Sequence, residues 1–149
     1  MALTLIDITT SSFRTTRTAD KQGEALLKVL GYKVNYLVAR LAIARSLGLS
    51  APPPPITTDE DDDGGRTIRG NQLFGEGSDL AAWIALLMQS SGRADMSRRD
   101  LQGLVAAHWR RGADLLTKDW EEAHGNLVRF VERIADFASL PRKIGRAHV

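Results

Sequence analysis

The sequence predicts a mainly α fold, in which a strand-helix-helix unit at the N-terminus leads into a helical C-terminal region. Three observations carry the prediction. Residues 12–18, SFRTTRT, alternate and are rich in β-branched side chains, which marks a short strand. Two apolar helical stripes follow, one closed by Gly31 and the other by Gly48 with four prolines behind it. Beyond Ser78, three further stretches repeat apolar residues every three to four positions.

Taken in order, LTLIDITT (residues 3–10) is expected to extend the strand or pair with it. Thr18 is placed to N-cap the first helix, with Asp20 near its positive end and Ala25, Leu26, Val29 and Leu30 as its apolar stripe. The second helix runs from about Val34 to Leu47. Prolines 52–55 and the run ITTDEDDDGG read as a stiff spacer entering a solvated loop. Residues 66–76, RTIRGNQLFGE, are expected to form a small β-hairpin. Ser78 is placed to cap a third helix that carries Leu80, Trp83, Ile84, Leu87 and Met88 on one face. Ser97 with Asp100 reads as a capping box opening a fourth, whose face is Leu101, Leu104, Val105, His108 and Leu115. After a break at His124-Gly125, Leu127, Phe130, Val131, Ile134 and Phe137 form a last amphipathic segment ending at Pro141.

The chain of 149 residues is one domain's worth of sequence. We read residues 1–142 as that domain: the strand-helix-helix unit over 1–50, the proline-rich and acidic loop over 51–70, and the helical part over 71–142. Residues 143–149, KIGRAHV, are what a common sequencing adapter encodes when translated in this frame, and we set them apart as an artefact. Without Lys143 and Arg146 the basic count falls from 20 to 18 and equals the acidic count. The distribution says more than this total. Residues 1–50 hold seven Lys/Arg against three Asp/Glu, whereas residues 59–63, DEDDD, are all acidic. A basic N-terminal third points to a polyanionic partner.

Absent residue types narrow the chemistry. There is no cysteine, which excludes disulfides, thiolate metal sites and thiol catalysis. The longest apolar run, Leu80 to Met88, is too short to span a bilayer, so a cytoplasmic protein without a membrane partner is expected. DEDDDGG matches the start of a calcium-binding loop, but Gly70 stands where the closing bidentate Glu belongs. His108 lies on an apolar stripe and reads as a core histidine, and Gly112 permits close helix approach. No catalytic set, Walker loop or metal spacing is visible, so no enzyme, cofactor or metal is expected.

In RLAIARSLG, residues 40–48, the two arginines point about 140° apart on a helix. Val34, Leu37, Val38, Leu41 and Ala44 share one arc that includes Arg45, which is expected to pack its stem and meet last-turn carbonyls or a carboxylate. Tyr36, Arg40, Ile43 and Leu47 form a second apolar arc, expected to be an oligomer interface. A strand followed by two helices, the second apolar on two sides, resembles ribbon-helix-helix dimers, whose strands pair across subunits. In that arrangement Arg14, Arg17, Lys21, Lys28 and Lys33 are the candidate DNA-binding residues. Glu24, between Lys21 and Lys28 at salt-bridge spacing, favours a merely solvated face instead.

Three strings of residues carry a more specific resemblance. They are Arg40-Leu41-Ala42 with Arg45-Ser46, then Leu73-Phe74-Gly75-Glu76, then Ala106-Ala107-His108 with Gly112 and Leu115-Leu116. In this order, over roughly residues 13–118, the chain resembles the DndE family, the small subunit of bacterial DNA phosphorothioation systems. Val34-Asn35-Tyr36 departs from the Thr-Pro-Asn that often opens the second helix in that family. Only Lys28 matches the family's lysine-rich first helix, where this chain otherwise has Leu26, Leu27 and Val29. The resemblance implies a ribbon-helix-helix-like topology, assembly as tetramers, and binding of DNA through surface lysines with a preference for nicked duplex; a dimer or tetramer of the chain is expected. It also implies partner subunits that perform the sulfur chemistry. The leading expectation is a non-catalytic DNA-binding subunit of a DNA sulfur-modification complex. A ribbon-helix-helix transcriptional regulator, reading bases through Arg14 and Arg17, and an assembly adaptor that never touches DNA are the alternatives.

Overall fold

Local capping decides the first element. Thr4 Oγ1 accepts a hydrogen bond from the amide of Asp7 at 3.2 Å, and the Asp7 carboxylate accepts one from the amide of Thr4 at 3.1 Å. This reciprocal box starts helix α1 (Leu5–Thr10). LTLIDITT is therefore helical rather than a strand: the box, with the Thr9 and Thr10 hydroxyls folded back onto the Leu5 and Ile6 carbonyls, outweighs the β-propensity of its Ile and Thr residues. The structure is a computed structural model that describes residues 3–56 and 65–136. The acidic run 59–63, Phe137, Pro141 and the 143–149 segment lie outside the described residues.

Strand β1 (Ser12–Arg14) is shorter than expected and pairs antiparallel with β2 (Thr67–Arg69) of the same chain. Ser12 lies opposite Arg69, Phe13 opposite Ile68, and Arg14 opposite Thr67. Phe13 and Ile68 point inward, while Ser12, Arg14, Thr67 and Arg69 face solvent. Residues 66–76 thus do not form a hairpin of their own; they give β2, then a short helix α4 (Gly70–Phe74). Helix α2 (Arg17–Leu30) begins two residues earlier than expected, because Thr16 rather than Thr18 accepts from the Ala19 amide. Gly31, at φ 74°, closes it in the left-handed conformation that glycine adopts freely.

Helix α3 (Asn35–Leu47) is the central element and packs on α6 (Arg98–Glu122). Their crossing is close because a Cβ on Gly112 would lie 1.6 Å from the Ala42 carbonyl oxygen. Helix α5 (Ser78–Ser91) starts on Gly77, not on a Ser78 side-chain cap. The Ser97–Asp100 box opens α6 as expected. A left-handed turn at His124 and Gly125, φ 54° and 70°, leads into α7, residues 127–136. Phe130 of α7 packs edge-on against Trp120 at 5.3 Å. At the other end of the core Phe74 meets Phe13 edge-on at 5.5 Å and Trp83 at 5.7 Å.

The crossing sets a stability test. Gly112→Ala forces α3 and α6 apart, and a loss of roughly 1–3 kcal/mol is expected in urea unfolding, as for other overpacked cores. Gly103→Ala, on the exposed side of the same helix with nothing within 4 Å of its Cβ, should stabilise or leave the midpoint unchanged.

Candidate nucleic-acid interface

All five predicted DNA-binding cations, Arg14, Arg17, Lys21, Lys28 and Lys33, are exposed. Arg14 projects from the open face of the strand pair, and Arg17 opens α2 three residues later. Arg17, Lys21 and Lys28 lie on one outward stripe of α2 by helical geometry. Lys33 sits in the α2–α3 turn, where it lines a groove with Asn35, Thr67 and Gln72. Thr67 is the residue opposite Arg14, so the strand pair joins the turn to the start of α2. Arg69, exposed on the same sheet face as Arg14, belongs to this surface too. No local pattern in the sequence marks it, because the strand that pairs with β2 is β1, more than fifty residues away.

The acidic residues of α2 do not neutralise its lysines. Arg66 reaches across to Asp20 and Glu24, each at 3.2 Å. Glu24, which its spacing would pair with Lys21 or Lys28, is therefore engaged by Arg66. None of the five cations has an ion-pair partner among the described residues. Lys21 also stands at the rim of an apolar groove between α2 and α6, facing Trp120 and Glu121. It serves the basic surface less directly than Arg14, Arg17, Lys28 and Lys33.

The arc of α3 expected to be an oligomer face is partly covered by the chain itself. Ile43 is fully buried, Leu47 and Tyr36 are half-buried, and the Arg40 guanidinium donates to the Leu73 carbonyl at 2.5 Å and the Gln72 carbonyl at 3.0 Å. Arg40 also lies over the Tyr36 ring, 4.8 Å from its centroid. The α4 and α5 segments, in the same chain, cover this arc. On the other arc Val34, Leu37 and Ala44 are exposed and Leu41 is half-buried, while Val38 and Arg45 are buried. With apolar residues on both arcs, periodicity cannot say which one the rest of the chain will cover.

The end of α3 is locked by buried polar groups. Arg45, 7% exposed, pairs with Asp119 of α6 at 2.8 Å, the carboxylate of the two kinds of partner expected for it. Asp119 also accepts from Arg133 of α7 at 2.8 Å. Next to it, Arg111 donates from Nε to Ser46 Oγ at 2.7 Å, from Nη2 to the Ser46 carbonyl at 2.9 Å and from Nη1 to the Ala51 carbonyl at 2.8 Å. The Ser46 hydroxyl, which accepts from Arg111, also shares a hydrogen bond with His108 Nδ1 at 2.8 Å. His108 Nε2 is buried without a partner among the described residues. Ser46 and His108 have the contact of a nucleophile and its base, but both are sealed from solvent. Burial first, and the Arg111 charge second, push the His108 pKa from 6.5 down to about 4.

Among the described residues no group of three or more His, Asp or Glu side chains is placed to hold a metal ion. No described helix is long and apolar enough to cross a membrane. The three sequence strings meet in this architecture: Arg40 grips the carbonyls beside Leu73-Phe74, Ala42 lies against Gly112, and Ser46 bonds His108. The family model for DndE, described as DNA sulphur modification protein DndE, matches residues 12–124. The chain belongs to the DndE family. No curated protein matches it. DndE membership implies involvement in DNA sulfur modification, and α7 begins beyond the DndE match.

Two measurements probe the lock. A neutral His108 favoured by the fold means that the unfolded chain takes up a proton first as pH falls. Stability is therefore whole above about pH 6.5 and is lost progressively towards pH 4, by roughly 3 kcal/mol at about 1.4 kcal/mol per unit. Urea melts across that window should show the slope, and His108→Gln should flatten it. Asp119→Asn strips two arginines of one carboxylate, and a loss of about 3–5 kcal/mol is expected.

Proposed function

We propose that this chain is a non-catalytic accessory subunit of a DNA phosphorothioate modification complex that binds duplex or nicked DNA through its phosphate backbone. The observation that carries this reading is the unpaired cation surface running from Arg14 and Arg69 through Arg17 and Lys28 to Lys33. Arg66, by engaging Asp20 and Glu24, leaves that surface positive. Exposed arginines and lysines without a rigid polar frame favour phosphate contacts over base readout. The sulfur chemistry falls to partner subunits, since the chain has no cysteine to carry sulfur. The exposed Val34, Leu37 and Ala44 of α3 offer a surface for those subunits, since Ile43 of the expected arc is buried and Tyr36, Arg40 and Leu47 are half-buried within the chain.

The transcriptional-regulator alternative draws no support from the strands. The partner of β1 is β2 of the same chain, whereas the ribbon of those dimers pairs equivalent strands of two subunits.

Binding of nicked and intact duplex at two salt concentrations tests the proposal. Affinity is expected to fall with salt at about 0.9 log units per log unit for each phosphate neutralised. Replacing Arg14, Arg17, Lys28 and Lys33 together by alanine should weaken binding by roughly tenfold or more at low salt and flatten that slope. Random and mixed sequences should bind alike. Absence of binding to either duplex at low salt would leave the adaptor reading in its place.

A further inference from the structure

We propose that the groove beside Lys33 seats one unpaired nucleotide of a bound DNA, a reading that rests on the backbone contacts proposed above. The base lies against Tyr36 and the phosphate at Lys33. The groove has a volume of about 330 Å³, the size of a small-ligand pocket. It is walled by Lys33, Asn35 and Tyr36 from the α2–α3 turn and the start of α3, by Arg66 and Thr67 from the β2 segment, and by Gln72 of α4. Thr67 is the residue opposite Arg14, so the groove opens beside the exposed cations of the strand pair.

The lining suits each part of a nucleotide. Tyr36 supplies a half-buried aromatic ring, and any base can stack on such a ring. Asn35 and Gln72 carry amides, whose donors and acceptor match the polar edge of a base. Neither amide side chain makes a hydrogen bond among the described residues, so both are available to a ligand. The lining holds two cations and no carboxylate. Arg66 is engaged by Asp20 and Glu24 at 3.2 Å each, which leaves Lys33 as the cation for a phosphate.

The walls are set before a ligand arrives. Arg40 lies over the Tyr36 ring, 4.8 Å from its centroid, and donates from Nη2 to the Gln72 carbonyl at 3.0 Å. One guanidinium thus ties the aromatic wall to the amide wall. The pairing of Thr67 with Arg14 and the ion pairs of Arg66 fix the third side. Walls held this way lose little freedom on binding. A base inside an intact duplex has both faces covered by its stacked neighbours and cannot reach Tyr36. An unpaired base leaves the stack at the least cost, and it is the occupant this groove selects.

Binding of the full chain to an intact duplex, to the same duplex with a single-nucleotide bulge, and to dAMP alone tests the pocket. The bulged duplex should bind about tenfold more tightly than the intact one, the gain from stacking one base. Asn35→Ala combined with Gln72→Ala should abolish that preference, with intact-duplex affinity, circular dichroism and the urea midpoint unchanged. Tyr36→Leu, which removes the ring and keeps an apolar wall, should abolish the preference too. In NMR spectra the Asn35 and Gln72 side-chain amides should shift with the bulged duplex and stay in place with the intact one. Equal affinity for the two duplexes, or a preference untouched by these variants, would overturn the pocket and leave the backbone contacts standing. Failure to bind either duplex would remove the backbone contacts as well. Tighter binding of dAMP than of the bulged duplex at the same amides would assign the groove to a free nucleotide and overturn the DNA source.

Discussion

The backbone of α3 lies against the backbone of α6 at one point, Ala42 on Gly112, and much of the molecule follows from that approach. A side chain of any size at Gly112 would occupy the Ala42 carbonyl. With the helices this close, the residues one turn further along α3 have no route to solvent. Arg45 and Ser46 are buried against α6 as a consequence. Buried polar groups must find partners or cost the fold heavily, and α6 supplies them as Asp119, His108 and Arg111. The lock at the end of α3 is thus the chemical counterpart of a steric decision made a turn earlier. The net stabilisation from its ionic part is reduced, since taking Arg45 and Asp119 out of water offsets much of their attraction.

The same frame explains what the family strings encode. Arg40 holds α4 by its carbonyls, Ala42 admits Gly112, and Ser46 engages His108. These residues are far apart in the chain and adjacent in space, and all are occupied with one another. They describe a scaffold. The exposed cations lie on other elements, the strand pair, α2 and the following turn, and owe their availability to Arg66, which engages the nearby carboxylates.

Legibility in the sequence followed the range of the interaction responsible. The start of α6 depends on Ser97 and Asp100 alone, and both the box and the helix were visible in advance. The Gly112 approach and the carboxylate partner of Arg45 were also readable, because a glycine in an apolar helix and an arginine at a helix end each have few uses. Helix α1 was misread because its threonines and isoleucines signal strand until the Thr4–Asp7 box is noticed. The partner of β1 lies more than fifty residues away, and no local pattern announces such a pairing. For α3 both arcs are apolar and each is covered in part: Ile43 is buried on one, Val38 and Arg45 on the other. Asp119 was invisible as a buried ion, since its neighbours Lys118, Glu121 and Glu122 give it the look of a solvated face.

The two ends of α3 therefore have different characters, separated by about 18 Å of helix. At its C-terminal end, α6, α7 and the proline-rich segment converge through Asp119 and Arg111. At its N-terminal end, the turn carrying Lys33 opens beside the strand pair with Arg14 and Arg69. A contact surface built this way needs no refolding to meet a polyanion. The backbone that carries the cations is already held by Thr16, Gly31 and the β1–β2 ladder. What binding must order is the side chains themselves, at about 0.5–1.5 kcal/mol each. That cost is modest for a phosphate contact that releases counterions. Rigidity at one end of α3 and open, unpaired charge at the other are thus compatible demands. The chain meets both by placing its buried ions where the helices cross and leaving the exposed ones where they part.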